Sequence, residues 1–264
     1  MRDILLRARA LVEKPLERRG FLRRAHLRLP DFLGIGAQKA GTTWLHEQLR
    51  AHPAIHLPAR KELHYFDDNF HRPLRWYAAH FADAGARRAG EITPAYAILD
   101  DARLAYVAAV MPRVRAIFLM RDPVERAWSQ AVMTLVEQAA REPSTVTEAE
   151  FTSFLRSPAV RLRGGFTRTI DAWNRHFPKD QLLLGFHDEL RADPEALLAR
   201  VTDFLGVDPL PRDPLRGRIV FPGLGMPMPD PIRATLVHDL ADEMRALADR
   251  FGGHAEEWRR RWLG

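Results

Sequence analysis

The chain has no cysteine in its 264 residues. It can therefore form no disulfide, and it offers no thiolate to a metal ion or to redox chemistry. It also lacks an uncharged apolar run long enough to cross a bilayer, and it lacks the apolar centre and cleavage site of a signal peptide. These absences lead us to expect a cytoplasmic protein whose chemistry relies on oxygen, nitrogen and charge.

Patterns of metal-binding histidines are incomplete as well. His46-Glu47 has no second histidine at the spacing of a zinc-binding helix. Pro53 separates His52 from His56, so these two side chains are not expected to share one face of a helix. We therefore expect no metal centre.

Positive charge is concentrated at the N-terminus. Of the 40 basic and 34 acidic residues, nine and three lie in residues 1–28, so the other residues carry no net charge. Leucines among these arginines predict a basic arm that lies on an anionic membrane, on the protein itself or in solvent. Residues 29–264, in a chain that is 46% hydrophobic, are enough for a single domain with a sizeable core.

The most informative segment is Asp31–Leu45, in which an apolar run, small residues around Lys39 and a helical pattern follow one another. A strand that leads into a helix in this way makes an anion site, because the first N–H groups of the helix lack partners. Gly36 and Gly41 have the spacing of the common phosphate-binding loop, but Thr42 stands where that loop has its lysine. We therefore expect nucleotide binding without ATP hydrolysis; the alternative is a glycine-rich turn with no ligand.

A second motif, Arg115–Ser129, also joins an apolar run to a helical pattern. Pro123 is typical of a first helical turn, which places Arg121 at the carboxyl end of a strand and Ser129 about two turns into the helix. Open α/β sheets bind ligands at that edge, and a guanidinium with a hydroxyl suits a phosphate. The alternative is a surface arginine without a ligand.

Strand-like and helical patterns alternate along the chain. This alternation predicts an α/β fold of P-loop type, with three layers (α/β/α) and a central, mainly parallel sheet. The predicted strands are 32–36, 115–120 and 181–186, and the predicted helices are 42–51, 101–110, 123–139, 166–177 and 194–205, with a long C-terminal helix after Asp230.

Together the two motifs resemble the sulfotransferase family that uses 3'-phosphoadenosine 5'-phosphosulfate (PAPS). Gly36–Leu45 is similar to that family's 5'-phosphosulfate loop, and Met120–Ser129 is similar to its 3'-phosphate motif. Lys61–Asp67 and Gly90–Tyr96 resemble segments of the branch that includes the heparan sulfate N- and O-sulfotransferases and their bacterial relatives. The resemblance covers residues 31–209.

The resemblance implies an enzyme that moves a sulfuryl group from PAPS, without a metal, to a hydroxyl or amine of a carbohydrate, a lipid or a small natural product. It implies that Lys39 steadies the leaving phosphate oxygen and that Thr42 and Thr43 hold the phosphate. The implied donor contacts are Gln38, Lys39, Ala40, Gly41, Thr42, Thr43, Trp44, Arg121 and Ser129, together with Arg216 and Arg218 in the one candidate for the family's basic loop over the 3'-phosphate.

Sulfuryl transfer also needs a base that takes the acceptor's proton. The resemblance assigns this role to Glu62, while His64 is the competing base because an unperturbed imidazole titrates near neutrality. Glu91, before Thr93-Pro94, either orients the substrate or closes a hydrogen-bonded turn. Both questions stay open at the level of sequence.

Departures from the family pattern concern the acceptor. Carbohydrate enzymes of this branch have a lysine where this chain has Ile92, and a tyrosine where it has Phe166. The sequence therefore does not indicate which acceptor is used or whether oxygen or nitrogen is sulfated, and it does not indicate the oligomeric state.

Two other functions remain open. A P-loop kinase of small molecules would bind ATP and magnesium, although the residue at Thr42 argues against it. A nucleic-acid or membrane-surface module would use the basic arm, but it would leave Lys39, Arg121 and Ser129 unexplained. Binding of adenosine 3',5'-bisphosphate or of ATP would separate the enzymes.

Overall fold

A sheet of five parallel strands, in the order β2-β3-β1-β4-β5, lies at the centre of the protein. The computed structural model describes Lys14, residues 27–213, Arg216 and residues 223–264. The strands are β1 (Phe32–Gly36), β2 (Ile55–His56), β3 (Arg88–Ile92), β4 (Arg115–Met120) and β5 (Leu182–Phe186). The α-helices are α1 (Thr42–Arg50), α2 (Leu74–Ala79), α3 (Asp101–Val110), α4 (Pro123–Val132), α5 (Glu148–Leu155), α6 (Pro158–Gly164), α7 (Phe166–His176), α8 (His187–Ala192), α9 (Pro194–Leu205), α10 (Asp230–Phe251) and α11 (Gly253–Leu263).

The chain leaves β1 and β4 in opposite directions across the sheet, toward β2 at one edge and toward β5 at the other. Because crossovers between parallel strands are right-handed, opposite directions place the connecting helices on opposite faces. The α/β fold predicted from the sequence is therefore confirmed. Open sheets of this kind bind ligands in the crevice outside the carboxyl ends of the two diverging strands, which here are β1 and β4.

The two central strands are apolar along their length because helices cover both faces of the sheet. All of β1 and all of β4 after Arg115 are buried. A second apolar cluster forms away from the sheet, where Trp128 of α4 packs with Phe151 of α5 and Met244 of α10. Among the described residues, none of the helices combines the length and apolar character that a bilayer crossing requires.

The predicted elements agree with the structure at most positions, and they differ where local geometry changes. The helix expected over 123–139 ends as an α-helix at Val132, and a π-helical turn follows over Met133–Glu137. The short strand β2 was not predicted, since a strand of two residues has no readable periodicity. The helices α5 and α6 were not predicted either. Asp193 caps α9, because its carboxylate accepts a hydrogen bond from the Ala196 N–H at 3.0 Å.

Candidate active site

The backbone of the loop after β1 has left-handed residues and packs closely against α8. Lys39 has φ 68° and Gly41, which precedes α1, has φ 95°. A Cβ at Gly41 would lie 2.7 Å from Leu190 Cδ2, so only glycine combines this conformation with contact against α8. The loop thus delivers the N-terminus of α1 to the carboxyl edge of the sheet, and no side chain of the described residues caps that helix end.

Arg121 follows β4 and meets this loop directly. Its Nη1 donates a hydrogen bond to the backbone carbonyl of Lys39 at 3.2 Å, and its Nη2 lies 3.3 Å from Glu125 Oε2. The predicted junction with α4 is also present, since Asp122 accepts hydrogen bonds from the N–H groups of Val124 and Glu125. The two predicted anion-binding motifs therefore lie at one place in the fold.

The surroundings of Lys39 are polar but partly dehydrated. Burial lowers the pKa of the Lys39 ammonium, Glu137 opposes this change, and the positive charge of Arg121 adds to it. Ser129 is half-buried and lies four residues, or about one helical turn, after Glu125 on α4. Arg121 lies four residues before Glu125. Glu125 therefore stands between the two residues predicted to grip the 3'-phosphate.

The other predicted donor contacts lie on the same loop and helix. Gln38, Lys39, Gly41 and Thr43 are half-buried, whereas Ala40, Thr42 and Trp44 are buried. Their individual contacts with the donor stay predictions.

The segment that carries Glu62 and His64 has an unusual backbone. Glu62 has φ 62° and His64 has φ 53°, in the left-handed region that only a few per cent of residues with a side chain occupy. Lys61 Nζ contacts Glu62 Oε1 at 2.7 Å and Thr43 Oγ1 at 3.2 Å. Lys61 thereby joins the predicted base to the helix that follows the phosphate loop. Lys61 was not among the site residues predicted from the sequence.

His64 lies between two carboxylates. Its Nδ1 is 2.7 Å from Asp67 Oδ2, and its Nε2 is 3.5 Å from Glu62 Oε2. Hydrogen bonding to Asp67 and then to Glu62 raises the pKa of His64 to about 10. Burial opposes ionisation of Glu62, but hydrogen bonds from His64 and Lys61 outweigh it and lower the Glu62 pKa to about 2. At neutral pH the pair is thus an imidazolium beside a carboxylate.

Arg216 makes contacts that were not predicted from the sequence. It is buried, and its guanidinium donates to Glu195 Oε1 at 2.6 Å, to Gln48 Oε1 at 2.9 Å and to the carbonyl of Pro211. Its backbone carbonyl accepts a hydrogen bond from Trp44 Nε1 at 2.8 Å. The guanidinium therefore joins Pro211, α1 and α9, and its predicted contact with the donor stays a prediction. Arg218 lies outside the described residues.

Two further basic residues reach this edge of the sheet without having been predicted. His187 follows β5. Its burial, and to a smaller extent the positive charge of Arg121, lower the pKa of His187 to about 4. Arg126 on α4 is fully buried, and only its Nη1 has a partner, Gln130 Oε1 at 2.8 Å, while its Nε and Nη2 have none among the described residues. Burial, with Arg163 and Arg121 nearby, lowers the pKa of Arg126 to about 9. The position of His187 at a parallel strand end was the one signal available in the sequence.

Ligand atoms of His64, Asp67 and Asp68 lie within 4.8 Å of one another. This group was not singled out from the sequence, and the His64 ring nitrogen already contacts Asp67. The expectation that no metal is needed stays a prediction.

The two departures from the family pattern are both core residues in this fold. Ile92 is buried at the end of β3 and packs against Gly34, where a Cβ would lie 2.7 Å from Ile92 Cγ1. Phe166 is fully buried and meets Phe118 edge-on, with ring centroids 5.6 Å apart. Neither side chain offers a polar group to an acceptor.

Comparisons with known proteins agree with this geometry. A family model described as a sulfotransferase domain matches residues 29–217. The chain is 33% identical over 192 residues to heparan sulfate glucosamine 3-O-sulfotransferase 3B1 of Mus musculus. The aligned region covers 68% of this chain and 46% of that protein. It is 28% identical over 201 residues to bifunctional heparan sulfate N-deacetylase/N-sulfotransferase 2 of Bos taurus, over 69% of this chain and 22% of that protein.

The chain thus spans less than half the length of these two relatives. The solved structure of a sulfotransferase from Alicyclobacillus acidocaldarius has the same fold, with a TM-score of 0.69 at 23% identity over 88% of this chain and 99% of that one. Because the family model matches most of the chain, and matches it across both anion-binding motifs, this protein belongs to the sulfotransferase domain family.

Proposed function

We propose that this protein transfers a sulfuryl group from PAPS to a hydroxyl or amine of an acceptor. The hydrogen bond from Arg121 to the Lys39 carbonyl carries the proposal, because it places two anion-binding motifs at one crevice. PAPS has one anionic group at each end of its ribose, so one molecule can contact both motifs. Membership of the sulfotransferase domain family supports this assignment.

In the proposed reaction the acceptor oxygen or nitrogen attacks sulfur in line. A bond forms between the acceptor atom and sulfur, the bond from sulfur to the bridging phosphate oxygen breaks, and adenosine 3',5'-bisphosphate leaves with the electron pair. Positioning and electrostatics supply most of the acceleration in such transfers. Lys39 is the residue that offsets charge on the bridging oxygen, and Thr42 and Thr43 hold the phosphate.

The acceptor proton passes to Glu62 in this proposal. His64 is protonated at neutral pH between Glu62 and Asp67, so it is an acid there and not the base. Contacts with Lys61 and His64 make Glu62 a weak base, with a pKa of about 2. An acceptor that displaces either contact raises the basicity of Glu62 when it binds, which couples proton removal to acceptor binding.

A carbohydrate is the acceptor class that we propose to test first, because the relatives named above are sulfotransferases of heparan sulfate. Ile92 and Phe166 leave the choice between O- and N-sulfation open. Lipids and small natural products carrying a hydroxyl or amine belong in the same panel. We propose that the reaction is independent of metal and takes place in the cytoplasm.

Calorimetry tests the donor assignment. We expect adenosine 3',5'-bisphosphate to bind in the presence of EDTA and ATP with magnesium to bind much more weakly. The variant Arg121→Ala should weaken binding of the bisphosphate, whereas Arg245→Ala, which removes an exposed arginine of α10, should not. A preference for ATP with magnesium would favour the kinase. Incubation with radiolabelled PAPS and the acceptor panel then tests transfer itself.

The module that uses the basic arm stays an alternative. Apart from Lys14 and residues 27–28, the arm lies outside the described residues. Binding of nucleic acid or of anionic vesicles that persists after Lys39→Ala and Arg121→Ala, together with no bisphosphate binding by the unchanged protein, would favour it over the enzyme.

A further inference from the structure

A buried carboxylate, Glu91, lies behind the segment that carries Glu62 and His64. It belongs to β3, and only 2% of its surface is exposed. Four donors converge on its two oxygens. Oε1 accepts from Tyr77 Oη at 2.6 Å and Tyr96 Oη at 2.9 Å, and Oε2 accepts from Thr93 Oγ1 at 2.7 Å and the Leu63 N–H at 3.3 Å.

The Leu63 N–H is the contact with chemical consequence, since Leu63 stands between the two residues with left-handed backbone. Conformations of this kind persist only where the surrounding structure holds them. Here the Leu63 N–H is held by Glu91, the Leu63 carbonyl accepts from Asn69 Nδ2 at 3.0 Å, and the Tyr65 N–H donates to Tyr96 Oη at 2.8 Å. Tyr96 in turn donates to Glu91, so Glu91 supports this turn by two routes.

We propose that Glu91 is a positioning residue of the transfer reaction. By accepting the Leu63 N–H and orienting Tyr96, it holds the turn that presents the Glu62 carboxylate and the His64 imidazole to the acceptor. The catalytic consequence rests on the proposed function. The sequence left two roles open for Glu91, and its burial favours the closed turn over contact with substrate.

The arrangement needs an acceptor at both oxygens. Each oxygen of Glu91 accepts two hydrogen bonds, which a carboxylate can do and an amide cannot, because the amide nitrogen is a donor. The NH₂ group of a glutamine at this position would face one of two pairs of donors. These are the two tyrosine hydroxyls, or the Thr93 hydroxyl together with the Leu63 N–H. Buried donors left without an acceptor are costly, so the turn would rearrange.

The variant Glu91→Gln tests the proposal, with Tyr77→Phe as the matched control. Tyr77→Phe removes a donor to the same carboxylate but leaves the Leu63 N–H contact. We expect Glu91→Gln to lower kcat on the order of a hundredfold, because a small displacement of a catalytic group has effects of that size. The dissociation constant for adenosine 3',5'-bisphosphate should stay within about twofold, since the phosphate loop is unchanged. Tyr77→Phe should keep kcat within about fivefold.

A second readout does not need turnover. The His64 imidazole, followed by NMR, should titrate at lower pH in Glu91→Gln than in the unchanged protein, because the turn that holds it against Glu62 is released. A merely structural glutamate would lower the melting temperature and leave this titration and kcat unchanged. That result would overturn the inference even where sulfuryl transfer is confirmed.

The same readout protects the test from two complications. If the unchanged protein transfers no sulfuryl group, the proposed function fails, while the His64 titration still decides the role of Glu91. If Glu91→Gln does not fold, Glu91→Asp, which keeps the charge but withdraws it from Leu63 by one methylene, takes its place. Glu91→Asp with unchanged kcat and unchanged His64 titration would equally overturn the inference.

Discussion

At the scale of single residues, the charge state of the Glu62 and His64 pair decides which of them acts as the base. A general base must be unprotonated at the working pH and must lie within reach of the proton that it accepts. The contacts of His64 with Asp67 and Glu62 favour its protonated form, which leaves Glu62 as the group able to accept a proton. The left-handed backbone at both residues, which nothing in the sequence indicated, brings the two side chains together.

Replacing Glu62 tests this assignment. We expect Glu62→Gln to lower turnover by about 10²–10⁴-fold, which is the usual contribution of a general base, and to leave bisphosphate affinity nearly unchanged. Steady-state kinetics with PAPS and calorimetry with adenosine 3',5'-bisphosphate measure the two quantities. Glu47→Gln, on the partly exposed face of α1, is the control. A fully active Glu62→Gln enzyme would move the base to another residue.

The pH dependence of stability tests the His64 ion pairs separately. The pKa of His64 is raised in the folded protein to about 10, so its contribution to stability is complete below its ordinary value of 6.5 and is lost as pH rises toward 10. We expect the free energy of unfolding of the unchanged protein to exceed that of His64→Asn at pH 6. The difference should shrink steadily up to pH 10, as measured by urea denaturation. A pH-independent difference would contradict the pairing.

At the scale of elements, Lys14 joins the N-terminal arm to the rest of the protein. Lys14 is buried, and its Nζ lies 4.5 Å from the ring centroid of Tyr65, 4.8 Å from that of Phe70 and 4.9 Å from that of Tyr106. The same nitrogen donates to the hydroxyls of Tyr65 and Tyr106. Tyr65 follows His64 directly, so this contact joins the arm to the predicted catalytic segment.

Lys14→Met should therefore destabilise the fold. Methionine keeps the length of the side chain but loses the cation over three rings and the hydrogen bonds to two hydroxyls. We expect the free energy of unfolding to fall by about 1–3 kcal/mol. Urea denaturation measures it, and Lys179→Met, which removes an exposed lysine, should have no comparable effect. Equal stability of both variants would show that the arm does not depend on Lys14.

At the scale of the whole molecule, basic groups collect where β1, β4 and β5 end. Lys39, Arg121 and His187 stand at these three ends, and the fully buried Arg126 has Arg121 and Arg163 nearby. Arg126 is fully buried without a counter-ion among the described residues, whereas Arg121 pairs with Glu125 and burial favours the neutral form of His187. A buried cation of this kind is costly, and an anion in the crevice would offset that cost. The free protein is thus electrostatically prepared for an anionic ligand.

A ligand of this kind should stabilise the whole fold. At about 100 times its dissociation constant, adenosine 3',5'-bisphosphate should contribute about 2.7 kcal/mol, which raises the melting temperature by on the order of 5 °C or more. Thermal unfolding in EDTA measures the change. Arg126→Met should reduce the stabilisation by the ligand while it raises or preserves the stability of the free protein, since it removes an uncompensated buried charge. An equal rise in melting temperature on ligand binding in Arg126→Met and in the unchanged protein would show that Arg126 does not interact with the bound anion.

The sequence by itself determined the two anion-binding motifs and the family resemblance. Apolar runs followed by Gly41 or by Pro123 specify strand, turn and helix within a few residues, because backbone sterics and capping act locally. The predicted strands 32–36 and 115–120 have the bounds found in the structure. The parallel α/β fold followed from the alternation of such units.

Tertiary structure alone decided how these parts meet. Strand order places Lys39 beside Arg121, and packing directs Arg216 toward Glu195 instead of leaving it free. The Glu91 carboxylate reaches the Leu63 N–H from β3. Each of these contacts joins residues far apart in the chain. Local propensity carries no information about such partners, because they are selected by the burial of the whole core and by the need to satisfy the polar groups enclosed within it.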